Sequence, residues 1–156
     1  ARRAGPPVVY ATRLYRADGS DVERCRREVW FAGGRPLSEV CPPEMSDAFP
    51  EEFTVEAGDY CIVKPRFSAF FSTQLDLLLR RLGVDTVILA GTTTPNCIRT
   101  TCYDALSLDY DVVVLSDCTS SVTDEVQSAN LRDMARIGAR ICTGAELPTL
   151  LGEARA

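Results

Sequence analysis

Thr86-Val-Ile-Leu-Ala-Gly-Thr-Thr-Thr-Pro-Asn-Cys-Ile98 joins a short apolar run to a glycine turn and then to a proline that opens a helix. Thr86 to Ala90 reads as a strand: it is brief, β-branched and apolar without alternation, as expected when both faces are covered. Thr94 is placed to cap the following helix, with Pro95 at its first position, where the missing proline N–H costs nothing. Cys97 then falls in the first helical turn. A strand that leads through a tight turn into a helix is half of a βαβ unit, and a chain built of such units forms a parallel sheet.

The flanking sequence repeats the pattern. Downstream, Asn96 to Leu108 places Ile98, Cys102, Ala105 and Leu106 on one helical face, and a strand follows from Asp111 to Leu115. A helix from Asp124 to Ile137, a strand Ala139-Arg-Ile-Cys-Thr143 and a short helix from Ala145 complete that side. Upstream, Thr73 to Gly83 reads as a glycine-terminated helix, preceded by the strand Tyr60 to Lys64. The first strand is Pro7-Val-Val-Tyr-Ala-Thr12, and Ala1-Arg-Arg-Ala4 before it reads as a helix end. Between Arg16 and Gly58 the chain is polar and rich in turn signals, an irregular excursion with one short helix. A loop of that length is usually functional. The fold class is therefore α/β, an open, doubly wound parallel sheet in three α/β/α layers, with about five strands visible in a single domain.

Composition narrows the function. At 156 residues and 46% hydrophobic content, the chain builds its core without metal or disulfide staples. A net charge of −5 argues against a nucleic-acid surface, which needs clustered Lys and Arg. The runs Val84 to Ala90 and Val112 to Leu115 fall far short of the ~20 apolar residues that span a bilayer. No membrane partner is expected, and the default address is cytoplasmic. Seven cysteines without a C-x-x-C pair suggest reduced thiols rather than a disulfide framework or zinc ribbon. With no histidine, Ser-His and Cys-His chemistry and imidazole-based metal sites are excluded. No cofactor or metal is called for.

Ligands of open α/β sheets collect at the carboxyl ends of the strands, so the strand exits hold the candidates. One is Lys64, the single lysine among seventeen basic residues, a tunable point charge in a chain that otherwise uses arginine. A second is Cys97, whose position at a helix start favours thiolate through the dipole and the unpaired N–H groups, as a neighbouring ammonium would. Those N–H groups also suit an oxyanion. The third exit is Ser116-Asp117-Cys118. Lys64 as a surviving surface lysine and Cys97 as an ordinary helix-start residue are the plainer alternatives.

Lys64-Pro-Arg-Phe-Ser-Ala-Phe-Phe71, Gly91-Thr-Thr-Thr-Pro-Asn-Cys-Ile98, Asp104-Ala105 and Ser116-Asp-Cys-Thr-Ser-Ser121 together resemble the isochorismatase-like cysteine hydrolases in order and spacing. The likeness is to the branch of N-carbamoylsarcosine amidase and the ureidoacrylate amidohydrolases. It implies a six-stranded parallel sheet and an Asp-Lys-Cys triad, with Cys97 as nucleophile and Lys64 as the charged member. It also implies a cis peptide at Thr92-Thr93 and an oxyanion hole formed by the N–H groups of Thr93 and Cys97. The resemblance further implies a small-molecule substrate, cleavage of a C–N bond through a thioester, and a homodimer or homotetramer.

The family aspartate lies in a D-x-Q-x-x-F segment after its first strand, and the 156 residues contain no such segment. The expectation is a chain that starts one strand and one helix into the family pattern. Asp117, at another exit, reads as structural. Phe67 and Phe70 are candidates for a pocket wall or for core packing. Arg66 is a candidate for a substrate carboxylate or a solvated surface residue. Asn96, which with Thr100 flanks Cys97, is a candidate for substrate contact, with capping or exposure to solvent as the plainer reading of both, and Trp30 suits either a lid or a subunit contact. Three other readings stand beside the amidohydrolase: an isochorismatase-type vinyl ether hydrolase, a catalytically inactive binding or assembly subunit, and a thiol-redox protein, which would need a resolving partner for Cys97 although Cys102 is expected on another face of the helix.

Overall fold

The computed structural model describes residues 5–46 and 53–153. The chain divides into two compact units, Ala1–Arg66 and Phe67–Ala156. The reading of residues 1–4 as a helix end lies outside the described residues.

The first unit is built on two parallel strands, β1 (Val9–Thr12) and β2 (Tyr60–Val63), in the register Val9 to Tyr60 through Thr12 to Val63. Pro7 and Val8 stand outside the strand expected from Pro7, and Lys64 stands just beyond β2, its N–H donating to the Thr12 carbonyl at 2.9 Å. The chain between these strands is better organised than its polar composition suggests. A 3-10 turn at Arg24–Arg26 runs into α1 (Arg27–Ala32), and a second such turn covers Pro43–Met45. Trp30, Tyr15 and Val22 form a buried cluster with Leu37 against it. Trp30 meets Tyr15 edge-on at 5.8 Å between ring centroids, and its indole N–H donates to the Pro36 carbonyl at 2.8 Å. That pairing satisfies the one polar group of the indole, so the ring packs inside its own unit.

The second unit holds a three-stranded parallel sheet in the order β3-β4-β5, with β3 at Thr86–Thr92, β4 at Asp111–Ser120 and β5 at Arg140–Cys142. Its helices are α2 (Leu75–Arg81), α3 (Arg99–Ser107), α4 (Asp124–Arg136) and α5 (Leu147–Glu153). The fold is α/β with parallel sheets, as the alternation of apolar runs and helical segments requires. Among the described residues the first unit holds a sheet of two strands and the second a sheet of three.

Strand β4 runs five residues past the expected end at Leu115. Leu89 pairs with Val114 and Gly91 with Thr119, so residues 115–118 stand opposite Ala90 alone. Pairing then resumes through Thr92 and Ser120. The helices end where backbone bonds close around a left-handed residue. At the end of α2, Val84 N–H reaches the Leu79 carbonyl at 3.0 Å and Gly83 N–H the Arg80 carbonyl at 3.1 Å, with Gly83 at φ +67°. The end of α3 makes the same pair of bonds with Asp109 at φ +64°, a position an aspartate tolerates better than most residues. Helix α4 starts at Thr123, whose side chain accepts from Val126 N–H, with Asp124 and Glu125 in the first turn. No helix among the described residues is long and apolar enough to cross a membrane.

Candidate active site

The turn after β3 carries Cys97 and differs from an ordinary helix start. The Thr92-Thr93 peptide is cis, although neither residue is proline. Thr93, not Thr94, is the capping residue, and it caps without a side-chain hydrogen bond. Thr94–Ile98 then forms a π-helical turn, in which Ile98 N–H reaches back five residues to the Thr93 carbonyl at 3.3 Å. Helix α3 begins only at Arg99. The expected α-helix from Asn96 is therefore shorter, and Cys97 sits in a wider turn at its head.

Side chains hold this turn from several directions. Thr94 is fully buried, and its hydroxyl donates to the Ser120 carbonyl at 3.0 Å. The Asn96 amide donates to Thr93 Oγ1 at 3.2 Å, and the Thr100 hydroxyl to the Asn96 carbonyl at 2.7 Å. Asn96 and Thr100 thus bond within the turn. The Arg99 guanidinium reaches α4, donating to Asn130 Oδ1 at 2.9 Å and standing 3.3 Å from Asp133. Cys97 itself is half-buried.

The cysteines differ in kind. Cys102 is 0% exposed, and burial pushes its thiol up to about 11. A buried thiol held protonated this far above its ordinary range is a poorer resolving partner than an exposed one, which weighs against the redox reading. Burial and the neighbouring Asp117 carboxylate both raise the Cys118 thiol. Asp117 accepts from Gly144 N–H at 2.8 Å, tying the irregular stretch of β4 to the segment after β5. That is the structural role its position suggests.

Lys64 is 5% exposed, which removes the reading of a solvated surface lysine, and its ammonium lies 3.4 Å from the Arg66 carbonyl. Arg66 is half-buried and donates to the Asp21 carbonyl at 3.0 Å and the Pro65 carbonyl at 2.6 Å. It anchors the loop of its own unit, an outcome that neither a substrate carboxylate contact nor a solvated arginine anticipates. Arg13, one residue past β1, is buried and paired with Glu23, whose other oxygen accepts from the Tyr15 hydroxyl at 2.7 Å. The sequence reading missed this ion pair, because ten residues separate its members and no local period marks them. Phe70 is buried and packs against Tyr110 at 5.7 Å between centroids, which is core packing. Phe67, half-buried, begins the second unit. No group of three or more Cys, Asp or Glu among the described residues is placed to hold a metal.

The Isochorismatase domain family matches residues 1–146. This chain belongs to the isochorismatase family. A relative described as a probable inactive nicotinamidase, from Arabidopsis thaliana, is 40% identical over 92% of this chain and 73% of its own length. The maleamate amidohydrolase of Pseudomonas putida is 33% identical over 86% of this chain, and 61% of that protein is spanned. Among solved structures, an isochorismatase family protein from Desulfovibrio vulgaris superposes with a TM-score of 0.88 at 40% identity, covering 97% of this chain and 78% of the other. The N-carbamoylsarcosine amidase of Thermoplasma acidophilum gives a TM-score of 0.73 at 30% identity, over 91% and 75% of the two chains. The family assignment and the α/β fold are thus settled independently of the motif likeness.

Proposed function

We propose that this family member is a cysteine hydrolase acting on the C–N bond of a small amide, carbamoyl or ureido compound. The observation that carries the reading is the position of Cys97, half-buried in the π-helical turn that leaves β3. Strand exits of parallel sheets are where such folds assemble their sites. The maleamate amidohydrolase and N-carbamoylsarcosine amidase relatives support the reaction class.

In this reading an aspartate takes the Cys97 proton, and Lys64, carried over from the family motif, supplies the positive charge that keeps the ionised pair stable. The thiolate attacks the carbonyl carbon, and the electron pair displaced onto oxygen is held by the N–H groups of Thr93 and Cys97. Collapse breaks the C–N bond as the protonated aspartate passes its proton to the leaving nitrogen, which departs as ammonia. Water then hydrolyses the thioester, releasing an acid, or carbamate from a carbamoyl substrate, and restoring the thiol. The chain offers no D-x-Q-x-x-F segment for the aspartate, so the test belongs to the intact protein. We also propose, from family habit, that it works as a homodimer or homotetramer, which light scattering checks.

The experiment is a screen of the intact protein for ammonia release from small amides, carbamoyl amines and ureido acids. Cys97→Ala is expected to abolish turnover, with circular dichroism unchanged; a fully active Cys97→Ala protein ends the nucleophile assignment. Hydrolysis of a vinyl ether that survives this substitution favours the isochorismatase-type reaction instead. One observation favours a second reading: the 40% identical relative is described as a probable inactive nicotinamidase. An intact protein that releases no ammonia from any of these substrates supports an inactive family member acting as a binding or assembly subunit.

A further inference from the structure

We propose that Thr94 is a positioning residue for Cys97, its hydroxyl bond to the Ser120 carbonyl fixing the wide turn that aims the thiol. The proposal rests on the reading of Cys97 as the nucleophile and deepens it. A π-helical turn is rare and is commonly confined to one turn at a functional site. Here a single carbonyl, that of Thr93, accepts from both Asn96 N–H at 3.1 Å and Ile98 N–H at 3.3 Å. Relaxation to an ordinary α turn would rotate Cys97 about the helix axis and move its sulfur relative to the strand exit. The turn therefore depends on bonds that tie it to the rest of the unit.

The Asn96 and Thr100 side chains bond to atoms of the turn itself and travel with it. Thr94 differs. It lies two residues past Thr92, the last residue of β3 paired to β4, and reaches the carbonyl of that partner, Ser120. The side chain so extends the strand ladder into the turn. Gln127 on α4 braces the same stretch of β4, donating to the Thr119 carbonyl and hydroxyl at 3.2 and 3.0 Å. At 0% exposure the Thr94 hydroxyl is out of reach of bulk solvent, so its loss leaves the Ser120 carbonyl without that donor. Arg99 then secures the far end of the turn to Asn130 on α4.

The test uses the intact protein and compares Thr94→Val, which keeps the shape and removes the donor, with Thr94→Ser, which keeps the donor. Mass spectrometry follows the rate of Cys97 alkylation by iodoacetamide across pH. Thr94→Val is expected to change that rate by about tenfold and to shift its pH midpoint, while Thr94→Ser stays within about twofold of the parent, because small displacements of a reacting atom cost rate steeply. Where a substrate is in hand, kcat falls in the Val variant with KM nearly constant. A folded Val variant with the parental alkylation profile overturns the proposal. So does a Val variant that fails to fold while Thr94→Ser behaves as the parent, since Thr94 is then a stability residue alone. An intact protein without ammonia-releasing activity sinks the hydrolase reading, yet the alkylation rates still decide the part played by Thr94.

Discussion

Cys97 and Cys102 stand five residues apart and share a residue type, yet the structure places them in different surroundings. Cys97 is half-buried in the turn ahead of α3, whereas Cys102 is sealed within α3 and holds its proton up to about 11. The folded pKa of Cys102 is raised above its ordinary value near 9, so its contribution to stability is complete below pH 9 and is lost as pH climbs toward 11. A Cys102→Ala variant should therefore show a flatter fall of unfolding free energy between those pH values. The difference is expected to be roughly 2 kcal/mol, read from urea denaturation at a series of pH values. The sequence named Cys102 as a core position from its helical spacing with Ile98 and Ala105. It could not supply the depth of burial, since that depends on what packs above the helix. Lys64 teaches the same lesson: composition made it conspicuous, and only the fold shows that it is buried.

At the scale of elements, short-range signals marked the helices and strands well. Gly83 ends α2, Thr123 caps α4, and the apolar runs at Tyr60, Thr86 and Asp111 are strands. The second half of β4 escaped because Ser116-Asp-Cys-Thr-Ser120 has neither apolar content nor alternation. It is a strand because β3 and the side chain of Gln127 pair with it across the irregular stretch at residues 115–118. The junction of α2 with the start of β4 shows how such long-range polar contacts matter. The Tyr110 hydroxyl donates to Asp76 on α2 at 2.9 Å, and Arg80 on α2 bonds the same carboxylate at 3.0 Å and stacks over the Tyr110 ring. The Tyr110 bond, with the arginine beside it, holds the Asp76 carboxyl below its usual range. Tyr110→Phe is expected to lower stability by about 1 kcal/mol near neutral pH, measured by thermal or chemical denaturation. A depressed carboxylate pKa gives stability that is present above the unfolded value and fades as pH falls through the folded one. The Tyr110→Phe deficit should accordingly shrink in acid.

On the scale of the whole molecule, the main surprise is the order within the excursion between β1 and β2. Its turn signals were legible: Asp18-Gly19 forms a tight turn, with Ser20 N–H donating to Asp18 Oδ1 at 2.9 Å. Gly19 sits at φ +64°, and a Cβ there would lie 2.7 Å from Cζ3 of Trp30 and 3.0 Å from Cζ of Phe31. Gly19→Ala is expected to destabilise the first unit by about 1–3 kcal/mol through overpacking and left-handed strain. The near-ultraviolet signal of Trp30 should report that loss at a lower denaturant concentration than in the parent.

The sequence by itself determined the α/β class, the strand exits, the family, and the residues at which chemistry is to be sought, because these follow from local period, turn residues and motif spacing. Only the tertiary structure decided that Arg66 anchors Asp21, that Phe70 packs on Tyr110, that Asp117 holds Gly144, and that Cys97 rides in a π turn bound to Ser120. Each of these outcomes joins segments 26 to 45 residues apart, where burial and hydrogen-bond geometry, rather than sequence pattern, select the partner.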